Sequence, residues 1–177
     1  MRKRILIIIT ASIACYKSLE IIRYLRKKDF KIDVILTKET EKFITPLLVS
    51  SILGDKIKQD IFKPDDKDSM DHINLSKNSD LILVAPASSN FIAKMANGIA
   101  DDLASTTILA ANKQILLAPA MNVKMWDNKI TKNNLDQLIN YNIRIIPPQK
   151  DILACGEFGY GKMADINDIT TQIEDFF

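Results

Sequence analysis

Five short, largely apolar runs recur along the chain: Ile5–Ile9, Ile32–Leu36, Leu81–Ala85, Ile115–Ala118 and Ile143–Ile146. They are rich in β-branched residues and do not alternate with polar ones. Strands buried on both faces of a parallel sheet read this way. Between the first two runs, Cys15, Leu19 and Ile22 repeat at i, i+4 and i+7, which draws one apolar stripe along a helix. Arg23, Arg26 and Lys27 fall outside that stripe. Further helices are predicted over Ile99–Ala111 and Lys132–Tyr141, and a last one over Asn167–Phe177 with Asn167 as its N-cap. Alternation of strand and helix predicts an α/β fold, a single doubly wound (Rossmann/flavodoxin-like) domain with a parallel sheet across residues 1–177.

The residues after the runs sharpen this picture. In open parallel sheets, ligands bind outside the carboxyl ends of the strands. There the sequence places Thr10-Ala11-Ser12, Thr37, Pro86-Ala87-Ser88-Ser89-Asn90 and Pro119-Ala120-Met121-Asn122. Hydroxyls and prolines also end strands and cap helices, and any one of these loops fits that plain role. Four together predict a binding crevice. Of the five glycines, three lie in Gly156-Glu157-Phe158-Gly159-Tyr160-Gly161. Neither a dinucleotide glycine loop nor a Walker lysine loop occurs. The glycine-rich stretch near 150–163 therefore reads as a mobile flap over the crevice.

Composition narrows the function classes. The chain has 177 residues, 47% hydrophobic and 26% charged, with a net charge of +2, which suits one soluble domain. No apolar run approaches the roughly 20 residues of a membrane-spanning helix. Nine Lys/Arg against two Asp/Glu fall in residues 1–31. That basic start ahead of Ile5–Ile9 has the outline of a signal peptide, but the run is short and leads through Thr10-Ala11-Ser12 into a charged helix. A cytoplasmic protein without a targeting segment is expected. Arg23, Arg26, Lys27 and Lys28 read as a solvated helix face, not a nucleic-acid site. Two cysteines give neither a disulfide framework nor a zinc site. The acidic stretch Asp65, Asp66, Asp68, Asp71 lacks calcium-loop spacing, so no metal is expected.

Three residues could carry chemistry. His72 is the only histidine, and an imidazole with its ordinary pKa of about 6.5 is the natural general base. It reads equally as a surface histidine beside an acidic stretch. Cys155 precedes the glycines, and a thiol with an ordinary pKa of about 8.5 can donate a proton at neutral pH. As a small hydrophobe it would instead resemble Cys15 on the helix stripe. Asn122 offers an amide that can grip a carboxylate or carbonyl. Met125 and Trp126 read as packing.

These segments resemble the homo-oligomeric flavin-containing cysteine decarboxylases over nearly the whole chain. Pro119-Ala120-Met121-Asn122-Val123-Lys124-Met125-Trp126 is similar to their P-x-M-N-x-x-M-W motif, and Pro86-Ala87-Ser88-Ser89-Asn90 to their P-A-S-x-N-T motif. His72 stands where their essential histidine is expected. Ala154-Cys155-Gly156-Glu157-Phe158-Gly159-Tyr160-Gly161-Lys162-Met163 resembles the substrate clamp of the bacterial phosphopantothenoylcysteine decarboxylases, and the segment Ala93–Leu103 matches them too.

The resemblance implies FMN as cofactor, contacted by Ala11, Ser12, Thr37, Ser88, Asn90 and Met121, with its phosphate against the Ala11-Ser12 amides. It implies decarboxylation of phosphopantothenoylcysteine in coenzyme A synthesis, by way of a thioaldehyde whose C=S takes up the electrons of the breaking bond. His72 would be the base, Asn122 would hold the substrate carboxylate, and Cys155 would protonate the enethiolate. Ala154 and Lys162 would join Asn122 around the substrate. A homotrimer or dodecamer with flavin between subunits is implied, as is a synthetase partner, fused in many bacterial relatives and absent from this chain. Two departures stand out: Ala11 where the family commonly has Gly, which narrows the approach to the flavin phosphate, and Phe91 in place of a Thr hydroxyl. A peptidyl-cysteine decarboxylase, a flavin-prenylating relative and a non-catalytic FMN-binding regulatory subunit are the alternatives. The clamp argues against the first, the Met-Asn-x-x-Met-Trp motif against the second, and retention of His72 and Cys155 against the third.

Overall fold

Each predicted run becomes a strand of one sheet. In chain order the elements are β1 (Arg4–Ile9), α1 (Cys15–Lys27), β2 (Lys31–Leu36), a 3-10 turn (Lys38–Lys42), α2 (Pro46–Leu53), α3 (Asp71–Asn78), β3 (Leu81–Ala87), α4 (Ser89–Ala96) and α5 (Leu103–Leu109). There follow β4 (Gln114–Pro119), α6 (Val123–Asp127), α7 (Lys129–Asn140), β5 (Arg144–Ile145), β6 (Gln149–Ile152), β7 (Phe158–Lys162) and α8 (Ile166–Glu174). This computed structural model describes residues 2–60 and 70–177; Asp65, Asp66 and Asp68 lie outside the described residues.

The five-stranded sheet is parallel throughout, in the order β2-β1-β3-β4-β5. Ile5, Ile7 and Ile9 pack with α1, α2 and α8 on one face, while Leu6 and Ile8 face α3, α4, α5 and α7 on the other. All five side chains are fully buried, which is why the run shows no alternation. At about 1.5–3 kcal/mol for each such side chain, this central strand and its neighbours form the frame on which the loops are hung.

The strand order reverses between β1 and β3, and the chain there is tied together by polar bonds. Thr10 Oγ1 donates to Pro86 O at 2.7 Å and accepts from the Ser88 amide at 2.8 Å. Ser18 Oγ, buried on α1, donates to Ala85 O at 2.7 Å. The helix that leads into β3 runs back against the strand direction, so its first turn, bearing His72, stands on the carboxyl side of the sheet.

Several boundaries differ from the sequence reading. The helix expected from Ile99 begins at Leu103, because Asp102 and Ser105 form a reciprocal capping box. The helix expected from Lys132 begins at Lys129, capped by Asn128 Oδ1 on the Ile130 amide at 2.8 Å. The last helix starts at Ile166 after Asp165, not Asn167, and ends at Glu174, beyond which Phe177 packs on Phe30. The buried stripe of α1 is Cys15, Ser18, Ile21, Ile22 and Leu25, with Leu19 only half-buried. Helices α2, α3, α4 and α6, each of eight residues or fewer, had no periodic signal long enough to read.

The glycine-rich segment is a two-stranded antiparallel ribbon of β6 and β7. Its turn is closed by the Leu153 amide to Glu157 O at 2.9 Å and the Gly156 amide to Leu153 O at 2.8 Å, with Gly156 at φ +83°. That is a three-residue hairpin whose third loop position demands a left-handed residue. Gly159 and Gly161 serve a different need. A Cβ on Gly159 would lie 2.7 Å from the Val123 side chain, and one on Gly161 2.2 Å from Met121 O. At these two positions close packing leaves no room for a side chain.

Candidate active site

Two cavities adjoin at the carboxyl side of the sheet. The first, of about 580 Å³, opens at the β1/β3 reversal. Ala11, Ser12, Thr37, Ser88, Asn90 and Met121 all line it, as the sequence reading expected. The second, of about 370 Å³, lies under the ribbon turn and is lined by Asn122, Ala154, Cys155 and Lys162. Ser12, Ala120 and Met121 belong to both walls, so the two spaces meet there. The ribbon is fixed over this junction by the Met121 amide, which donates to Gly161 O at 3.0 Å.

The first cavity meets the first turn of a helix. Helix α4 opens onto it with Ser88 as N-cap; the Ser88 hydroxyl occupies the Phe91 amide at 3.3 Å, while the Ser89 and Asn90 amides have no partner among the described residues. First-turn amides and the helix dipole favour an anion. By contrast α1 starts only at Cys15, three residues later than Ser12. The Ser12 side chain and carbonyl already occupy the Ala14 and Cys15 amides, at 3.2 and 3.1 Å. Hydroxyls of Thr37 and Ser12 lie along the wall, and Phe91, Ala120, Met121 and Met125 give it an apolar side. Phe91 is nearly fully buried, so the residue that costs a hydroxyl adds core packing instead. A phosphate, a polyhydroxylated chain and a flat apolar ring, the parts of FMN, each find matching chemistry here.

Lys94 also faces this cavity, held by Asp101 at 2.6 Å and Asp102 at 3.1 Å, and the Asp101 bond raises its pKa.

In the second cavity, Asn122 Oδ1 caps α6 by accepting from the Met125 amide at 2.8 Å. Both of its Nδ2 donors remain for a ligand. Cys155 is exposed in the ribbon turn, its Sγ 3.9 Å from Glu157 Oε2. Lys162 is paired across the ribbon with Asp151, which raises the lysine pKa and lowers that of the carboxyl.

Lys17 is the residue the sequence reading missed. It is buried, lines the second cavity, donates from Nζ to Met163 O at 3.1 Å and stands 3.8 Å from Asp165. Burial pushes its pKa down, opposed by the Asp165 charge. No hydropathy pattern marks it, because it sits beside the buried stripe as a charged residue in a basic segment. Cys15 keeps its plain role: fully buried, its thiol donates to Thr10 O at 3.2 Å and burial pushes its pKa up to about 11.

His72 stands apart. It lies half-buried on the first turn of α3 and lines neither cavity, and its Nδ1 is buried without a hydrogen-bond partner among the described residues. The single chain therefore gathers every expected site residue except the histidine. No group of acidic, histidine or cysteine side chains suited to a metal occurs among the described residues. None of the described helices is long and apolar enough to cross a membrane.

A family model described as Flavoprotein matches residues 1–177. The coenzyme A biosynthesis bifunctional protein of Haemophilus influenzae is 43% identical over 175 residues, covering 99% of this chain and 44% of that relative. The chain thus spans less than half of such two-part relatives. A probable phosphopantothenoylcysteine decarboxylase of Streptococcus mutans is 36% identical over 177 residues, covering 99% of both chains. Among solved structures, a variant PPC decarboxylase complexed with pantothenoylaminoethenethiol superposes with a TM-score of 0.88 at 29% identity, covering 99% of this chain and 98% of that one.

Proposed function

Since the chain belongs to the flavoprotein family throughout residues 1–177, we propose that it decarboxylates phosphopantothenoylcysteine to phosphopantetheine in coenzyme A synthesis, with FMN as cofactor. The observation that carries this reading is the meeting of the two cavities at Ser12, Ala120 and Met121. It sets a space suited to FMN beside a space that holds a carboxylate-gripping amide and a thiol.

A cysteinyl carboxylate leaves only if its electron pair has somewhere to go; FMN, when bound, supplies this by accepting a hydride from the cysteinyl side chain and returning it at the end. The chain's own groups bind, orient and move protons. Ala11, Ser12, Thr37, Ser88, Asn90 and Met121 hold the cofactor. Asn122, its oxygen committed to the helix cap, turns Nδ2 to the substrate carboxylate. The Lys17 ammonium, with Lys162 and Ala154, draws the anionic substrate into the second cavity. Cys155 protonates the enethiolate.

His72 takes the first proton. Because it lines neither cavity of its own chain, it serves the site of a neighbouring copy in a homotrimer or dodecamer. A separate or fused synthetase supplies the substrate, and the reaction runs in the cytoplasm.

The test is release of labelled carbon dioxide from carboxyl-labelled phosphopantothenoylcysteine by protein loaded with FMN. Stoichiometric phosphopantetheine supports the reading. Release only from a peptide ending in cysteine would transfer the protein to the peptidyl class. Protein that neither retains nor takes up FMN would remove the mechanism.

A further inference from the structure

A base must be held still, and among the described residues no hydrogen bond holds Nδ1 of the His72 imidazole. Histidines that move protons are commonly oriented by a hydrogen bond to the second ring nitrogen. Here Nδ1 is buried without a partner among the described residues, so the ring is only as well placed as the helix turn that carries it. That turn is lightly tied. Helix α3 has eight residues, its N-cap Met70 makes no side-chain cap, and its buried contacts, Leu75 and Ser76, lie one turn further on.

The missing tie comes from a distant point in the chain. Lys58 Nζ donates to Asp71 Oδ2 at 2.9 Å, and both side chains are partly buried. Asp71 is the only acid in the first turn of α3 and directly precedes His72. Lys58 is itself firmly placed. Its amide donates to Val34 O at 2.8 Å and its carbonyl accepts from Leu36 N at 3.0 Å, adding a parallel bridge to the outer edge of β2. Ile57 beside it is in the core, and Gln59 bonds to Glu41. We propose that Lys58 is a positioning residue for His72: through Asp71 it ties the first turn of α3 to the edge of β2 and so fixes where the imidazole is presented. The proposal rests on the reading of His72 as the base.

Because His72 is the only histidine, it gives one imidazole NMR signal per chain type, and its placement can be watched apart from activity. The experiment compares FMN-loaded wild type with Lys58→Met, Lys58→Arg and Asp71→Asn. In Lys58→Met, flavin reduction by phosphopantothenoylcysteine should fall about 10- to 100-fold, the loss expected for a displacement near 1 Å. FMN content and KM should stay within about twofold of wild type, a split that loss of folding would not give. Lys58→Arg should restore the rate.

The signal should also move when either partner of the tie is removed. Among the described residues, the charged groups near the first turn are Asp71 and Lys58, with Lys77 further along α3. Packed against the helix, α5 carries no ionisable side chain, and β1 carries only Arg4, which is committed to Asp33. Lys58→Met and Asp71→Asn each remove one end of the tie, so each should move the His72 imidazole signal away from its wild-type position. An unchanged His72 signal and rate in Lys58→Met overturns the proposal. A moved signal with unchanged flavin reduction would support the tie and count against His72 as the base.

Discussion

The Met121 amide donates to Gly161 O at 3.0 Å, and a Cβ on Gly161 would stand 2.2 Å from Met121 O. The ribbon that carries Cys155 is thus seated directly on the loop that carries Asn122. Gly161→Ala adds this clash to a backbone at φ +139°. Substitution at a positive φ costs more than about 1 kcal/mol. The expected outcome is a ribbon lifted from the cavity, read as protease cleavage near residue 155 and at least tenfold lower turnover with FMN still bound. A fully active, protease-resistant variant would separate the ribbon from the site.

His72→Asn should retain fold and FMN yet lose flavin reduction by about 10²- to 10⁴-fold, the usual contribution of a positioned base. Stopped-flow bleaching of the flavin on mixing with substrate measures it. If the site is shared between copies, mixing His72→Asn with Asn122→Asp subunits should recover activity in hybrid oligomers, because some sites then hold both intact residues.

Cys155→Ser keeps the turn, since serine fits the second loop position beside Gly156, but offers a far less acidic proton. Carbon dioxide should be released once, after which the enzyme stalls with an enethiol product two hydrogens lighter than phosphopantetheine. Mass spectrometry of a single-turnover mixture identifies it. Phosphopantetheine at the wild-type rate would leave Cys155 as a small residue in an exposed turn.

Lys17→Met preserves length and apolar bulk but removes the buried ammonium. KM for the substrate should rise by tenfold or more with FMN binding unchanged. Because burial lowers the Lys17 pKa, the wild-type KM should begin to rise on the alkaline side below the pH at which an ordinary lysine titrates. That limb should be missing from Lys17→Met.

The Cys15 thiol sets an alkaline limit to stability. Burial raises its pKa above the ordinary thiol range, to about 11. Above pH 9 the unfolded chain loses the proton while the folded chain keeps it, so stability declines until the folded thiol also titrates near 11. Two pH units of difference correspond to about 2–3 kcal/mol. Urea melts from pH 8 to 11 should show that decline, and Cys15→Ala should flatten it.

Much of this was legible in the sequence because its causes are local. A strand buried on both faces must be apolar at every position, so Ile5–Ile9 and Leu81–Ala85 announced a covered parallel sheet, and the polar loops after them announced a crevice at its carboxyl edge. The Met121-Asn122 and Cys155 segments are short enough to be read as motifs. Tertiary structure alone decided what depends on distant chain meeting. The purpose of Gly159 and Gly161 is set by Val123 and Met121, some forty residues away, and a missing Cβ does not state which neighbour requires its absence. Lys17 became a cavity residue only when the β7–α8 junction closed over it. The pairing of Lys58, at the outer edge of β2, with Asp71 beside His72 was likewise hidden, since a side-chain pair thirteen residues apart leaves no periodic trace, whereas burial along a single strand or helix does.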